Sequence, residues 1–234
     1  MSTTFLRAAE AERYVTVAPG IHVLDLGLGQ VTGEAWTLQR VHLEPAGARV
    51  EALHRHDEGF SLAYVLSGWL DVEFEEIGPQ HLAPRTVVPA FNGPVHRERD
   101  CGDHLELLLL VTQRPMRDDD AQHIVVQQAA EAPTRGGATG GVVLRDFDLE
   151  GLSGGRLSGY EARAVGEAGV PVECVVAAER IEVLYVVAGW VDVELPDGRH
   201  LLESGAVACM PAGTQWVEWG RSPDAVTVHL RLPA

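Results

Sequence analysis

Leu62-Ala63-Tyr64-Val65-Leu66-Ser67-Gly68-Trp69-Leu70-Asp71-Val72-Glu73 returns later in the chain as Val183-Leu184-Tyr185-Val186-Val187-Ala188-Gly189-Trp190-Val191-Asp192-Val193-Glu194. Gly68 falls on Gly189, 121 residues on in a chain of 234. One unit was built twice, and each half is long enough to bury a core of its own. The matching extends upstream. Gly33, Trp36-Thr37-Leu38-Gln39-Arg40-Val41 and Pro45-Ala46-Gly47 parallel Gly155, Leu157-Ser158-Gly159-Tyr160-Glu161-Ala162 and Glu167-Ala168-Gly169. The copies part where chemistry would sit. Ahead of the shared block the first has His54-Arg55-His56, and the second has Val175-Val176-Ala177.

Stretches rich in Val, Leu, Tyr and Trp predict strands over 35–43, 62–74, 105–112, 183–195 and 225–232, with Gly, Pro, Asp and Asn between them. Pro196-Asp197-Gly198 is a turn, because Pro presets φ and Gly tolerates a positive φ. Gly78-Pro79 stands near the matching place in the first copy. Helical periodicity is scarce, with short helices expected near 6–14 and 118–130. Many short antiparallel strands, duplicated, predict an all-β chain of two barrels or jelly rolls. The division expected is 1–118, a linker over 119–141 ending in a Gly-rich joint, and 142–234.

The net charge of −16 argues against a nucleic-acid partner, since phosphate binding needs clustered basic residues. No apolar run reaches the roughly 18 residues of a membrane span. Arg7, Glu10 and Glu12 interrupt any signal-peptide core. Cys101, Cys174 and Cys209 are odd in number and lack a Cys-x-x-Cys spacing, which suits a reducing compartment. A cytoplasmic protein is expected. No P-loop, dinucleotide fingerprint or Ser-His-Asp order is present.

The first half reads Gly47-x6-His54-x-His56-x4-Ser61-x6-Gly68 and then Gly93-Pro94-Val95-His96. This resembles the two motifs of the cupin superfamily, and the likeness covers most of both halves. The resemblance implies two tandem cupin-type jelly-roll barrels, a bicupin, with one divalent transition metal ion (Fe, Ni, Mn, Zn or Cu) inside the first. Alternation along a strand would put His54 and His56 on one face, with His96 arriving from another strand. The glutamate of the family's first motif falls on Ser61, so the implied site has three histidines. Glu58 would share the His54/His56 face if the strand ran on, and a turn at Asp57-Glu58-Gly59 would remove it. The second motif is longer than the family's, with Pro89-Ala90-Phe91-Asn92 ahead of Gly93.

The second half keeps Glu182 at the family's glutamate position and Pro211-Ala212-Gly213 in the second motif. Val175 and Ala177 replace two histidines there and Trp216 the third, so no metal is expected. Glu182 then needs another partner, Arg163 or Arg180. Trp216 and Trp219 are expected to fill that barrel. Tyr64 and Tyr185, like Trp69 and Trp190, recur in both halves and so read as packing. Glu58, Arg40, His42 and His104 are the candidates for catalytic or substrate-binding groups. Arg40 and His42 share a strand face, and His104 opens a strand after the second motif. The resemblance implies a metal-dependent enzyme acting on a small oxygen-bearing metabolite. Dioxygenase-type oxidoreductase chemistry is the first reading, and an isomerase, a cyclase or a non-catalytic binding bicupin the alternatives. The partners expected are a small-molecule substrate, neither nucleic acid nor membrane, and, as an option that no residue decides, a second copy in a homodimer.

Overall fold

The computed structural model describes residues 4–6, 14–45, 47, 50, 52–116, 122–134, 141–165 and 171–234. In chain order the strands of the first half, with one that precedes it, are β1 (Thr4–Leu6), β2 (Val15–Ala18), β3 (Ile21–Asp25), β4 (Thr37–Leu43), β5 (Phe60–Ser67), β6 (Leu70–Phe74), β7 (Gly78–Leu82), β8 (Thr86–Phe91), β9 (His96–Cys101), β10 (Leu105–Thr112), β11 (His123–Ile124) and β12 (Gln127–Gln128). The second half adds β13 (Val142–Asp146), β14 (Ser158–Ala164), β15 (Val172–Val175), β16 (Arg180–Ala188), β17 (Trp190–Leu195), β18 (Gly198–Glu203), β19 (Val207–Met210), β20 (Gln215–Arg221) and β21 (Val226–Pro233). Two single-turn helices, α1 (Leu28–Thr32) and α2 (Leu149–Leu152), complete the described residues.

The strands form two copies of one topology. In the first, a sheet runs β8-β5-β10-β4-β3 with β2 beyond, and a smaller sheet runs β7-β6-β9. In the second, β19-β16-β21-β14-β13 and β18-β17-β20 repeat those orders, with β15 beside β20. The copies even share an irregularity. The register shifts between Asp71 and Val72 where β6 meets β9, and between Asp192 and Val193 where β17 meets β20. All the pairings are antiparallel, as an all-β jelly roll requires. Alternation along β6 and β17 buries Leu70, Val72 and Phe74 in one core and Val191, Val193 and Leu195 in the other.

The contacts divide the chain at 130/131, with 11–130 as one unit and 131–234 joined by 1–10 as the other. This differs from the expected 1–118, 119–141 and 142–234 in two respects. Thr4–Leu6 pair with Val207–Cys209 on the β19 edge, so the N-terminal residues group with the second barrel. Residues 123–128 are not linker: β11 and β12 both pair with β8 and close the matching edge of the first barrel. Over 122–130 that pairing also replaces the helix expected over 118–130, of which 118–121 lie outside the described residues, because an unpaired sheet edge recruits any strand within reach. Of the helix expected over 6–14, Leu6 ends a strand and 7–13 lie outside the described residues, as do 135–140 of the Gly-rich joint. Among the described residues no helix is long and apolar enough to cross a membrane.

Candidate metal centre

Three imidazoles meet inside the first barrel. His54, His56 and His96 each offer a ligand atom, and these atoms all lie within 4.8 Å of one another. The ring centroids stand 4.6 Å apart for His54 and His96, 5.0 Å for His54 and His56, and 5.3 Å for His56 and His96. The expected strand through His54 and His56 is reduced to one bridge. His54 exchanges both backbone hydrogen bonds with His96, at 2.8 and 2.9 Å, and residues 55–58 carry no regular structure.

The longer second motif does not prevent His96 from arriving. β8 ends at Phe91, and Asn92 and Gly93 both take left-handed backbone, at φ 58° and 55°. This reverses the chain sharply enough for β9 to start at His96. Gly93 has no room for a side chain, since a Cβ there would stand 2.0 Å from the His56 carbonyl oxygen. The same residue therefore sets the direction of β9 and the place of His56. The Nδ1–H of His96 donates to the Pro94 carbonyl at 2.9 Å. That bond fixes the tautomer and leaves Nε2 as the free electron pair.

A fourth group belongs here that the motif comparison missed. Glu98 follows His96 by two residues on β9, so strand alternation turns both the same way. Its Oε1 lies 3.6 Å from His96 Nε2 and its Oε2 3.8 Å from His54 Nε2. Burial alone would push the Glu98 carboxyl up. The neighbouring His96 and the charge of His54 outweigh it and hold the group below the ordinary glutamate range. Burial likewise pulls His96 down, and Glu98 and the Pro94 carbonyl more than offset it, leaving His96 raised. β9 thus places a carboxylate beside His54 and His96, while the motif position itself holds Ser61. The signal was present in the sequence as His-x-Glu, the same spacing as His-x-His.

Two atoms of this cluster, His54 Nδ1 and Glu98 Oε2, are buried without a hydrogen-bond partner. Buried polar atoms carry a free-energy cost unless something satisfies them. Three imidazoles and a carboxylate around such orphans fit a divalent transition ion, by donor chemistry and by number.

Behind the cluster lies a cavity of about 300 Å³. Among its lining residues, Gln39, His56, Glu58, Ser61, His96 and Glu98 carry polar side-chain atoms, and the rest of the wall is apolar apart from Gly93 and Pro94. Glu58 reaches this cavity although its segment is not a strand. The other candidates do not. Arg40 and His42 share a face of β4, but the cavity is lined by Gln39, Val41 and Leu43 on the opposite face. Arg40 Nη2 donates to both carboxylate oxygens of Glu106, at 2.8 and 2.9 Å, and the His42 ring lies 5.8 Å from that of His22. His104 sits exposed in the turn before β10, where its carbonyl accepts from the Ser67 hydroxyl.

No family model matches the chain, and no curated protein matches it by sequence. Solved structures do match it. Protein Ylba from E. coli superposes with a TM-score of 0.76 at 16% identity, covering 98% of this chain and 90% of that one. The putative glyoxylate-induced protein from Pseudomonas aeruginosa gives 0.75 at 13%, covering 100% and 89%. A variant of oxalate decarboxylase from Bacillus subtilis gives 0.70 at 13%, covering 98% and 77%. The chain has the bicupin fold. At these identities the likeness is one of fold.

Within the bicupin the second barrel shows what replaces the cluster. β17 pairs with β20 so that Val193 faces Glu218, as Val72 faces Glu98 in the first barrel. Trp216 therefore takes the place of His96, as expected. Across the barrel Cys174 faces Trp216 as His54 faces His96. The residues at the two remaining histidine positions are thus Cys174 and Val176, one place earlier than the sequence alignment suggests. Val175 and Ala177 point outward and are exposed. Glu182 pairs with neither Arg163 nor Arg180. His229 Nδ1 lies 3.3 Å and Arg231 Nε 3.4 Å from its carboxylate. Arg180 instead donates to the backbone carbonyls of Gly155 and Arg156. Trp216 fills the core at 4% exposure, whereas Trp219 is 40% exposed and donates to Glu194. Burial, with the carboxylates of Glu182 and Glu218, pushes the Cys174 thiol up to about 11, so it is no nucleophile at neutral pH.

Proposed function

We propose that the first barrel is the catalytic centre of a metal-dependent enzyme for a small oxygen-bearing metabolite. The observation that carries this reading is the convergence of His54, His56, His96 and Glu98 around buried atoms that lack partners. A bound divalent transition ion would supply Lewis-acid activation of the substrate and, if redox-active, dioxygen activation. The chain's own residues do the rest. Pro94 holds His96 with Nε2 available, Ser61 leaves open the space a glutamate would take, and an apolar wall lines the cavity behind the reacting centre. Glu58 lines both the cavity and an adjoining surface pocket with Arg55 and Asn92, where it can take or return a proton between substrate and solvent. The chain has no lysine, which removes Schiff-base chemistry.

Dioxygenase-type oxidation is the leading reading, because a largely apolar wall limits the water around reactive oxygen chemistry. Isomerisation or cyclisation is the second, favoured by the carboxylate of Glu58 at the chamber. Oxygen uptake by Fe-, Ni- and Mn-loaded protein with diketones and catechols tests them. Uptake that disappears in His54→Ala/His56→Ala supports the first. Turnover that proceeds equally without oxygen replaces it with the second. No turnover in a folded, metal-loaded protein against either set leaves a binding bicupin.

A further inference from the structure

The geometry points to a substrate with an apolar, ring-sized body, one chelating oxygen end and at most one negative charge. This rests on the metal-centre reading and names the substrate class for that site.

The wall of the cavity carries the argument. Val41, Leu70, Val72, Leu82, Leu107 and Leu109 face it, and among the described residues no arginine does. Its charged side chains besides the histidines are both carboxylates, Glu58 and Glu98. A doubly charged anion such as oxalate would find the ion's charge already balanced by these two groups, with no guanidinium among the described lining residues to receive the excess. Buried charge without a partner is strongly disfavoured.

The apolar wall is not a requirement of the fold, as the second barrel shows. Val41 faces Leu107 across β4 and β10, and the corresponding pair on β14 and β21 is Ala162 and Thr227. Gln39 faces Leu109, and the corresponding pair is Tyr160 and His229. The same barrel positions thus accept a hydroxyl, a phenol and an imidazole. In the first barrel most of them are aliphatic and surround space rather than filling it. A dry cavity of about 150 Å³ takes one benzene ring. The 300 Å³ here has room for a body of one or two rings.

Calorimetric titration of metal-loaded protein with 2,3-dihydroxynaphthalene, catechol and oxalate tests this. The aromatic diols should bind about tenfold or more tightly than oxalate, as unpaired buried charge dictates. Ala63→Phe, which fills the cavity from β5, should lose the diols and keep its metal. Gln39→Arg, which adds a cation to the wall, should gain oxalate affinity. Metal-free protein is titrated with 2-naphthol in parallel, so that a failure to load metal, which would sink the preceding reading, stays distinct from a failure here. Naphthol binding that Ala63→Phe abolishes supports the apolar site even then. Oxalate binding as tight as the diols, or diol and naphthol binding unchanged in a folded Ala63→Phe protein, overturns it.

Discussion

Two glutamates, Glu98 and Glu182, show how single residues divide the labour between the barrels. Glu98 faces imidazoles and an orphaned acceptor position, and Glu182 faces His229 and Arg231. Glu98→Gln should therefore lower the affinity for Zn or Mn by about tenfold or more while the fold is retained, as titration calorimetry and circular dichroism would show. Glu182→Gln should act on stability alone. Burial would raise the Glu182 carboxyl, but the His229 hydrogen bond and the charges of His229 and Arg231 hold it below the ordinary value of 4.5. A depressed folded pKa favours the charged form in the fold. Its stabilisation is present above 4.5 and is lost as pH falls through the folded value. Wild type should exceed Glu182→Gln by about 2–4 kcal/mol at pH 7, because breaking a buried charged pair is costly. Denaturant melts should show the gap closing below pH 4.5. The three histidines were legible in the sequence because a strand's two-residue period announces itself. Glu98 carries the same two-residue period as His-x-Glu and was missed, whereas His229 was not read because its partner Glu182 lies on a strand remote in sequence.

At the scale of elements, the turn from β8 into β9 decides whether the cluster forms. Gly93→Ala would place a methyl 2.0 Å from the His56 carbonyl on a left-handed backbone. It should cost roughly 2 kcal/mol or more and lower metal affinity, since His56 must move. Gly78→Ala is the control. It shares a positive φ of 76° but meets nothing within 4 Å, so it should cost about 1 kcal/mol and leave metal binding unchanged. Thermal melts with and without metal read both. β8 and β9, the strands flanking this turn, were not among those expected, but other strands of the barrel were legible. Residues 105–112 are strand as expected, and 35–43 differs by two residues at its start. The strands β11 and β12 were not, because two-residue strands hold too few side chains to print a pattern. Their pairing is imposed by the open edge of β8.

For the whole molecule, duplication provides two barrels that surround corresponding carboxylates, Glu98 and Glu218, with different partners. The second places Arg221 against Glu218 at 2.5 and 2.6 Å where the first has Glu98 beside the histidines. Arginine side chains supply in one barrel the positive charge that an ion would supply in the other. Trp216→Ala should accordingly cost about 3–5 kcal/mol by opening a cavity in the second core, and leave the metal content of the protein unchanged. The duplication and the loss of ligands in one copy were both legible from a spacing of 121 residues. Which residues stand in for the lost ligands was not, because Cys174 lies nine residues ahead of Val183 where His54 lies eight ahead of Leu62, so a constant spacing of 121 misplaces the counterparts by one position. The most direct test is elemental analysis of protein purified without a histidine tag, beside its His54→Ala/His56→Ala variant. The account predicts about one transition-metal equivalent per chain in the first and none in the second. A folded wild-type protein that takes up no metal, or a variant that keeps its metal, would contradict it.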